Sequence, residues 1–349
     1  MSATRRVALA LDALRHGWAV RVSGRVLVPA ETGFGADMTA GHMLISAARA
    51  ATLKLANQRD AAEPEAPVLI RGAEGFDLPL ARALADPALD LANPLKGPFL
   101  AEPIADHDAA VTAMELARLA GVLPAFLVDP AVVADAQDVS PADLANWKDA
   151  RHLQIASRAR LPVSVCETAE IVAFRAMDDL REHVALVLGR QNADRMPLVR
   201  LHSECLTGDV LGSLKCDCGP QLDAALAAMA DEAREGGWGV LLYLRQEGRG
   251  IGLVNKLRAY QLQDQGFDTV DANQRLGLPN EARDFPVAAR MLELIGVKAI
   301  RLMTNNPAKV DALRGVGVDV AERVAHALPA NPHNERYLAT KRDRSGHFL

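Results

Sequence analysis

The sequence predicts an α/β protein with mixed sheets, organised as two domains, and three observations lead there. At 349 residues the chain is longer than one hydrophobic core ordinarily fills, so domains of roughly 150 to 200 residues are the natural division. Half of the residues are hydrophobic and 24% are charged, the balance of a compact soluble chain. From about residue 198 onward, segments with helical apolar spacing alternate with short apolar runs, the pattern of an α/β layer.

Taken in order, the amino terminus places Arg5 and Arg6 before an apolar run, Val7 to Leu11, that Asp12, Arg15 and His16 interrupt too early for a secretory leader. Residues 62 to 67 and 86 to 98 carry prolines and read as loops. Ala109 to Ala120 has helical periodicity. Leu161 to Val165 followed by Glu167 to Met177 reads as a strand running into a helix. The polar stretch Arg190 to Arg195 precedes the strand-like Leu198 to Leu201. The domain boundary is placed there, giving residues 1–192 and 193–349.

In the second half a helix is expected from Pro220, with Leu222, Leu226 and Met229 on one stripe and Gly236 and Gly237 as its stop. Val240 to Leu244 reads as a buried strand. Leu253, Leu257 and Tyr260 give the next helix an apolar stripe, ended by Gly266. Residues 286 to 295 form a further helix, Ala299 to Met303 a strand, and Pro307 to Leu313 a last helix.

Composition excludes several classes. A net charge of -5 argues against a general nucleic-acid binder, which ordinarily presents a basic domain or stripe. No run approaches the roughly 18 apolar residues that cross a bilayer. A cytoplasmic location is the expectation, and clustered cysteines suit it better as metal ligands than as disulfides. Cys205, Cys216 and Cys218 form that cluster, while Cys166 reads as a small buried hydrophobe. Three thiolates leave one tetrahedral position open, the arrangement of a catalytic rather than a closed structural zinc site. Spacing alone leaves open a fourth ligand from His202, and equally a purely structural role for the cysteines.

Longer motifs surround the cysteines. Arg200-Leu-His-Ser-Glu-Cys-Leu-Thr-Gly-Asp209 and Ser213-Leu-Lys-Cys-Asp-Cys-Gly219 resemble the zinc-site signature of GTP cyclohydrolase II. Leu244-Arg-Gln-Glu-Gly-Arg-Gly-Ile-Gly-Leu253, Asn255 to Tyr260, Leu262 to Gly266 and Thr304-Asn-Asn-Pro307 resemble that family's later blocks, in its order. The resemblance spans about 150 residues. It implies conversion of GTP and water to formate, pyrophosphate and a diamino-ribosylamino-pyrimidinone phosphate, the first committed step of riboflavin biosynthesis. It places Zn2+ on Cys205, Cys216 and Cys218, with water attacking C8 of guanine, a parallel to the zinc deaminases.

The resemblance also distributes the remaining roles. Arg283 matches an arginine that attacks the α phosphorus, and a protonated guanidinium needs a nearby carboxylate to take its proton. The family's aspartate two residues earlier is replaced by Glu281, which adds one methylene of reach. Tyr260 matches a tyrosine near the ring-opening step, although its place on an apolar stripe equally suits packing. Arg200, Leu201, His202, Ser203 and Glu204 flank the base and metal, with Gln221 close by. Glu247, Gly248 and Arg249 line the base and phosphate side, and Thr269, Thr304 and Lys309 match further GTP contacts, Lys309 as a compact cation. The Gly248, Gly250 and Gly252 spacing fits neither a Walker loop nor a dinucleotide fingerprint. Mg2+ is expected with the triphosphate, and a homodimer because the family ordinarily forms one.

The first half is distantly similar to dihydroxybutanone phosphate synthase, in Ala13-Leu-Arg-His-Gly17, Leu116 to Gly121 with Pro124 and Ala125, and Leu153 to Val172. That enzyme's acidic loop has no counterpart, since Ser23 to Glu31 reads Ser-Gly-Arg-Val-Leu-Val-Pro-Ala-Glu. Without those carboxylates the divalent-metal site is lost, so the domain is expected to be non-catalytic, with His42 and His107 ordinary histidines. Two rival readings remain: a related purine-nucleotide cyclohydrolase that stops at a formamido product, and a non-catalytic zinc protein that senses guanine nucleotides.

Overall fold

The computed structural model describes residues 2–35, 37–133, 135–176, 181–346 and 348. The chain forms two compact units: Met1–Asp149 with Ile251–Ala282, and Ala150–Gly250 with Arg283–Leu349. Among the described residues no helix is long and apolar enough to cross a membrane.

The first unit is built on seven strands: β1 Ala19–Val22, β2 Arg25–Pro29, β3 Thr39–Ile45, β4 Val68–Asp77, β5 Phe99–Glu102, β6 Ala125–Val128 and β7 Ala136–Val139. Their order is β5-β4-β3-β6-β2-β1-β7, and the pairs are antiparallel except for parallel β1 and β7. Side chains alternate across a strand. Met43, Ile45 and Leu127 therefore join one buried cluster, while Leu44, Phe126 and Val128 join another. Both faces are covered. The first cluster also takes in Ala259, Leu262, Ala272 and Leu276 from the 251–282 segment. The helix expected at Ala109 to Ala120 runs His107–Ala120, started by the Asp106 side chain accepting from Ala109 N and ended by Gly121 at φ 78°.

The second unit carries β8 Leu153–Arg160, β9 Ala169–Ala176, β10 Glu182–Leu188, β11 Leu198–Ser203, β12 Gly239–Leu244, β13 Ala299–Met303 and β14 Asp319–Val324. Their order is β14-β13-β11-β12-β10-β9-β8. The four strands from β14 to β12 run parallel, and β10, β9 and β8 extend the sheet antiparallel. Val199, Leu201, Val240, Leu242, Ile300 and Leu302 bury one face; Leu198, Leu241 and Met303 bury the other, against Ala225 and Met229 of helix Cys218–Arg234.

Three expectations are corrected. The units do not part at 192/193, because β10 pairs with β12 and so ties the 150–192 segment into the second sheet. The polar Arg190 to Arg195 stretch is a loop inside that unit. Glu167 to Met177 is not a helix: Ala169–Ala176 is a strand whose β-branched and aromatic residues put Val172 and Phe174 into the core, and Met177 lies outside the described residues. Helix Leu253–Asp264 buries Asn255, Lys256, Ala259 and Leu262 rather than the predicted stripe, leaving Leu257 46% exposed. Asn255 Nδ2 donates to Ile251 O at 3.1 Å and Gly121 O at 3.4 Å, which satisfies an amide that burial would otherwise penalise.

Candidate functional site

The parallel strands decide where the polar groups go. With Leu198 buried against helix Cys218–Arg234, period two sends Arg200 and His202 to that same face, and in β12 sends Tyr243 there with Leu241. Ligands of open parallel sheets bind beyond the carboxyl ends of the strands. Beyond β11 come Glu204 and Cys205, beyond β12 Arg245 to Gly250, and beyond β13 the buried Thr304, Asn305 and Asn306.

Cys205 opens a π-turn over Leu206–Val210, a rare conformation that wraps backbone around its sulfur. Gly208 N lies 3.3 Å from Cys205 Sγ and donates to it. Asp209, two residues on from Thr207, anchors the turn: its carboxylate accepts from Cys205 N at 3.0 Å, from Tyr243 Oη at 2.9 Å and from His202 Nε2 at 3.0 Å. Burial, followed by the Asp209 charge, raises the Tyr243 pKa and keeps the phenol a donor. His202 stacks on Tyr243 with ring centroids 5.6 Å apart. Its Nε2 is thus committed to Asp209, and His202 does not join the cysteines as a fourth ligand among the described residues.

The Sγ atoms of Cys205, Cys216 and Cys218 all lie within 4.8 Å of one another. Two sulfurs each about 2.3 Å from a tetrahedral zinc stand about 3.8 Å apart, and Cys205 Sγ and Cys216 Sγ are 3.8 Å apart. The donor set therefore fits such an ion. Crowding by Cys205, then by Cys216, then burial pushes the Cys218 thiol well above its ordinary value, so three thiolates at this spacing require a cation among them. Cys218 also begins helix Cys218–Arg234, where the N-terminal dipole favours negative charge. A Cβ on Gly208 would sit 2.9 Å from Cys216 Sγ and 3.1 Å from Cys205 Sγ. Only glycine lets the turn approach the sulfurs.

Around this centre Arg200 donates to Gln221 Oε1 and to Met303 O. Full burial lowers its pKa to about 10 against the favourable charges of Cys218 and Asp217, and Arg283 adds to the lowering. Lys309 Nζ donates to Leu201 O at 3.2 Å. Glu204 accepts from Arg245 Nε at 2.9 Å. Glu247 accepts from Leu206 N at 2.7 Å and Gly248 N at 2.9 Å, which ties the loop after β12 to the cysteine turn. Gly248 and Arg249 are both left-handed, at φ 63° and 61°, a conformation that costs a non-glycine residue roughly 1 kcal/mol. Among the described residues, Arg200 Nε, Ser203 Oγ and Gln246 Nε2 are buried without a hydrogen-bond partner, a state rare enough in native proteins to call for an explanation.

Residues 154–325 match the sequence model of the family described as GTP cyclohydrolase II. A protein named GTP cyclohydrolase-2 from Azospirillum brasilense is 46% identical over 282 residues, covering 77% of this chain and 72% of that protein. This chain belongs to the GTP cyclohydrolase II family. A second relative, the riboflavin biosynthesis protein RibBA of Mycobacteroides abscessus, is 45% identical over 302 residues, covering 77% of this chain and 71% of its own. A solved structure described as RibBX, a two-domain 3,4-dihydroxy-2-butanone 4-phosphate synthase from A. baumannii, is 16% identical, with TM-score 0.31 over 93% of this chain and 100% of that one. At that score the two folds are not equated.

The residues that the motif resemblance singles out divide between the units. Arg200 to Glu204, the three cysteines, Gln221, Glu247 to Arg249, Arg283, Thr304 and Lys309 belong to the second unit, and Tyr260, Thr269 and Glu281 to the first. Within the first, Lys256 Nζ lies 5.7 Å from the centre of the Tyr260 ring, and Thr269 Oγ1 accepts from Gln263 Nε2 at 3.2 Å. In the second, the Arg283 guanidinium lies 5.9 Å from the Phe285 ring. Gly208 and Asp209 stand inside the Arg200 to Asp209 motif without a role assigned to them there, and Tyr243 carries no mark of its own; its bond to Asp209 arises once β11 and β12 lie side by side.

Proposed function

We propose that this chain is the GTP cyclohydrolase II of riboflavin biosynthesis, hydrolysing GTP to formate, pyrophosphate and the diamino-ribosylamino-pyrimidinone phosphate, with zinc on Cys205, Cys216 and Cys218. The observation that carries the reading is the three-sulfur cluster, all within 4.8 Å of one another and with Cys205 and Cys216 3.8 Å apart, set beyond the carboxyl ends of parallel strands in a chain of this family. Zinc held there would supply Lewis-acid polarisation and an open position for water.

The chain's own residues do the rest. Asp209 holds the Cys205 turn and orients His202 and Tyr243. Arg200 to Glu204 and Gln221 flank the base, and Glu247, Gly248 and Arg249 shape the loop on the base and phosphate side. Thr269, Thr304 and Lys309 complete the nucleotide contacts. Phosphoryl chemistry needs cations over the developing charge, a task suited to Lys309 and Arg283, with Mg2+ on the triphosphate. Arg283 attacks the α phosphorus after Glu281 takes its proton. The bond to the α–β bridging oxygen breaks with pyrophosphate as the leaving group, and water then cleaves the P–N bond to free Arg283 and the monophosphate. Tyr260 serves ring opening. The synthase-like first domain is non-catalytic because Ser23 to Glu31 supplies no acidic loop: Arg25–Pro29 is β2, with Leu27 and Val28 in the core. The working species is a homodimer in the cytoplasm.

Mass spectrometry after incubation with GTP and Mg2+ tests the reading. Formate, pyrophosphate and the diamino product appear together; a formamido product alone, or unaltered GTP, overturns it.

A further inference from the structure

The cysteine site has a charge problem that its ligands do not solve. Three thiolates and a divalent ion leave one negative charge, and Asp217, 5% exposed between Cys216 and Cys218, adds another. Buried charge of one sign is costly unless opposite charge stands beside it. Two buried cations meet it. One is Arg200, which feels both Cys218 and Asp217. The other is Lys341, on helix Glu335–Ser345, far along the chain and beyond the 154–325 family match.

Lys341 Nζ donates to Asp217 Oδ1 at 2.7 Å, with the side chains 11% and 6% exposed. The other carboxylate oxygen, Asp217 Oδ2, accepts from Gln221 Nε2 at 2.7 Å. The Tyr337 ring stands 4.4 Å from Lys341 Nζ on the same helix. The tail makes two further contacts around the centre. Asn331 Nδ2 donates to Leu214 O at 3.3 Å, in the loop between Cys205 and Cys216, and Phe348 N donates to Asn305 O at 2.9 Å, beyond β13.

We propose that Lys341 is a positioning residue of the metal site: through Asp217 it fixes the Cys216 to Cys218 turn, and it offsets one negative charge of the thiolate cluster, so the carboxy-terminal helix is part of what makes the site bind a divalent ion tightly. Lys341 hydrogen-bonds to Asp217 and not to a cysteine. It acts through a hydrogen bond to the backbone neighbour of two ligands, the kind of outer contact whose loss typically lowers metal affinity about 10- to 100-fold.

The inference rests on the zinc reading, and its readout is metal binding in the full-length protein rather than turnover. Lys341→Gln keeps a donor, one bond shorter, but no charge, and Lys341→Arg restores the charge. Zinc affinity is measured by chelator competition, and the thiolate-to-metal absorption by cobalt substitution, with circular dichroism to report folding. Lys341→Gln is expected to weaken zinc affinity about tenfold or more and to shift the cobalt band, and Lys341→Arg to recover most of both. Asp217→Asn is expected to reproduce the loss, and the double variant with Lys341→Gln to be little worse than either alone. Parental affinity and spectrum in Lys341→Gln, or fully additive losses in the double variant, overturn the inference. Should Lys341→Gln fail to fold, Asp217→Asn alone decides by the same measure, and parental affinity in it overturns the inference too. Parental protein that binds no zinc at all removes the cysteine-site reading and this inference together.

Discussion

Gly208→Ala is the most direct probe of the cysteine turn, because the perturbation is one methyl group aimed at two ligand sulfurs. Its Cβ would stand 2.9 Å from Cys216 Sγ, 2.9 Å from Cys218 Cβ and 3.1 Å from Cys205 Sγ. Ordinary contacts between heavy atoms begin at about 3.5 Å, so the turn or the sulfurs must retreat by about 0.4 to 0.6 Å. Metal-ligand distances tolerate only about 0.2 Å. The overpacking cost of about 1 to 3 kcal/mol is expected to fall mainly on the loaded form, in which the sulfurs would be pinned at ligand distances. That corresponds to a loss of zinc affinity of about 5- to 150-fold. Gly315→Ala is the control: nothing lies within 4 Å of its Cβ, and alanine in a helix is expected to be neutral or slightly stabilising. The assay is chelator competition alongside formate release from GTP. Gly208→Ala protein with parental zinc affinity and parental formate release would refute the view that the π-turn is shaped around a filled site.

Cys216→Ser is expected to abolish zinc retention and formate release together, checked by elemental analysis of the folded variant. Arg283→Ala is expected to retain zinc while losing pyrophosphate release, which a coupled phosphate assay reads. His326 bears on pH dependence. It is buried and bonded through Nε2 to Gln221 O at 2.8 Å, and burial followed by Arg200 lowers its pKa to about 4. The unfolded chain therefore takes up a proton first as pH falls, so this contribution to stability is complete above about pH 6.5 and is lost on descent toward pH 4. Between pH 7.5 and 5 the loss amounts to about 2 kcal/mol, and His326→Gln should show a correspondingly flatter pH dependence in urea unfolding.

Much of the second unit was legible because its signals are local. β13 falls at Ala299–Met303 as its apolar run predicts, and the helix that Gly236 and Gly237 were expected to stop ends at Arg234. The three cysteines marked a candidate metal site through spacing, and they do cluster, while the surrounding motifs carried the family resemblance. What was not legible depends on partners distant in sequence. Residues 169 to 176 carry both helical and strand spacing, and pairing with β8 and β10 decides for strand. Lys256 and Asn255 turn inward against the hydropathy of their helix because tertiary neighbours outweigh intrinsic preference. Lys341 is an ordinary charged residue until the last helix brings it to Asp217.

The chain leaves the second unit at Gly250, spends Ile251–Ala282 in the first, and returns at Arg283. No single cut therefore yields either half intact. A fragment begun at Ala150 would carry Ala259, Leu262, Ala272 and Leu276 without the sheet that shelters them, an adhesive apolar face on a protein that keeps all three clustered cysteines. The interleaved path makes residues 251–282 depend on the amino-terminal sheet for their burial whether or not that half performs chemistry.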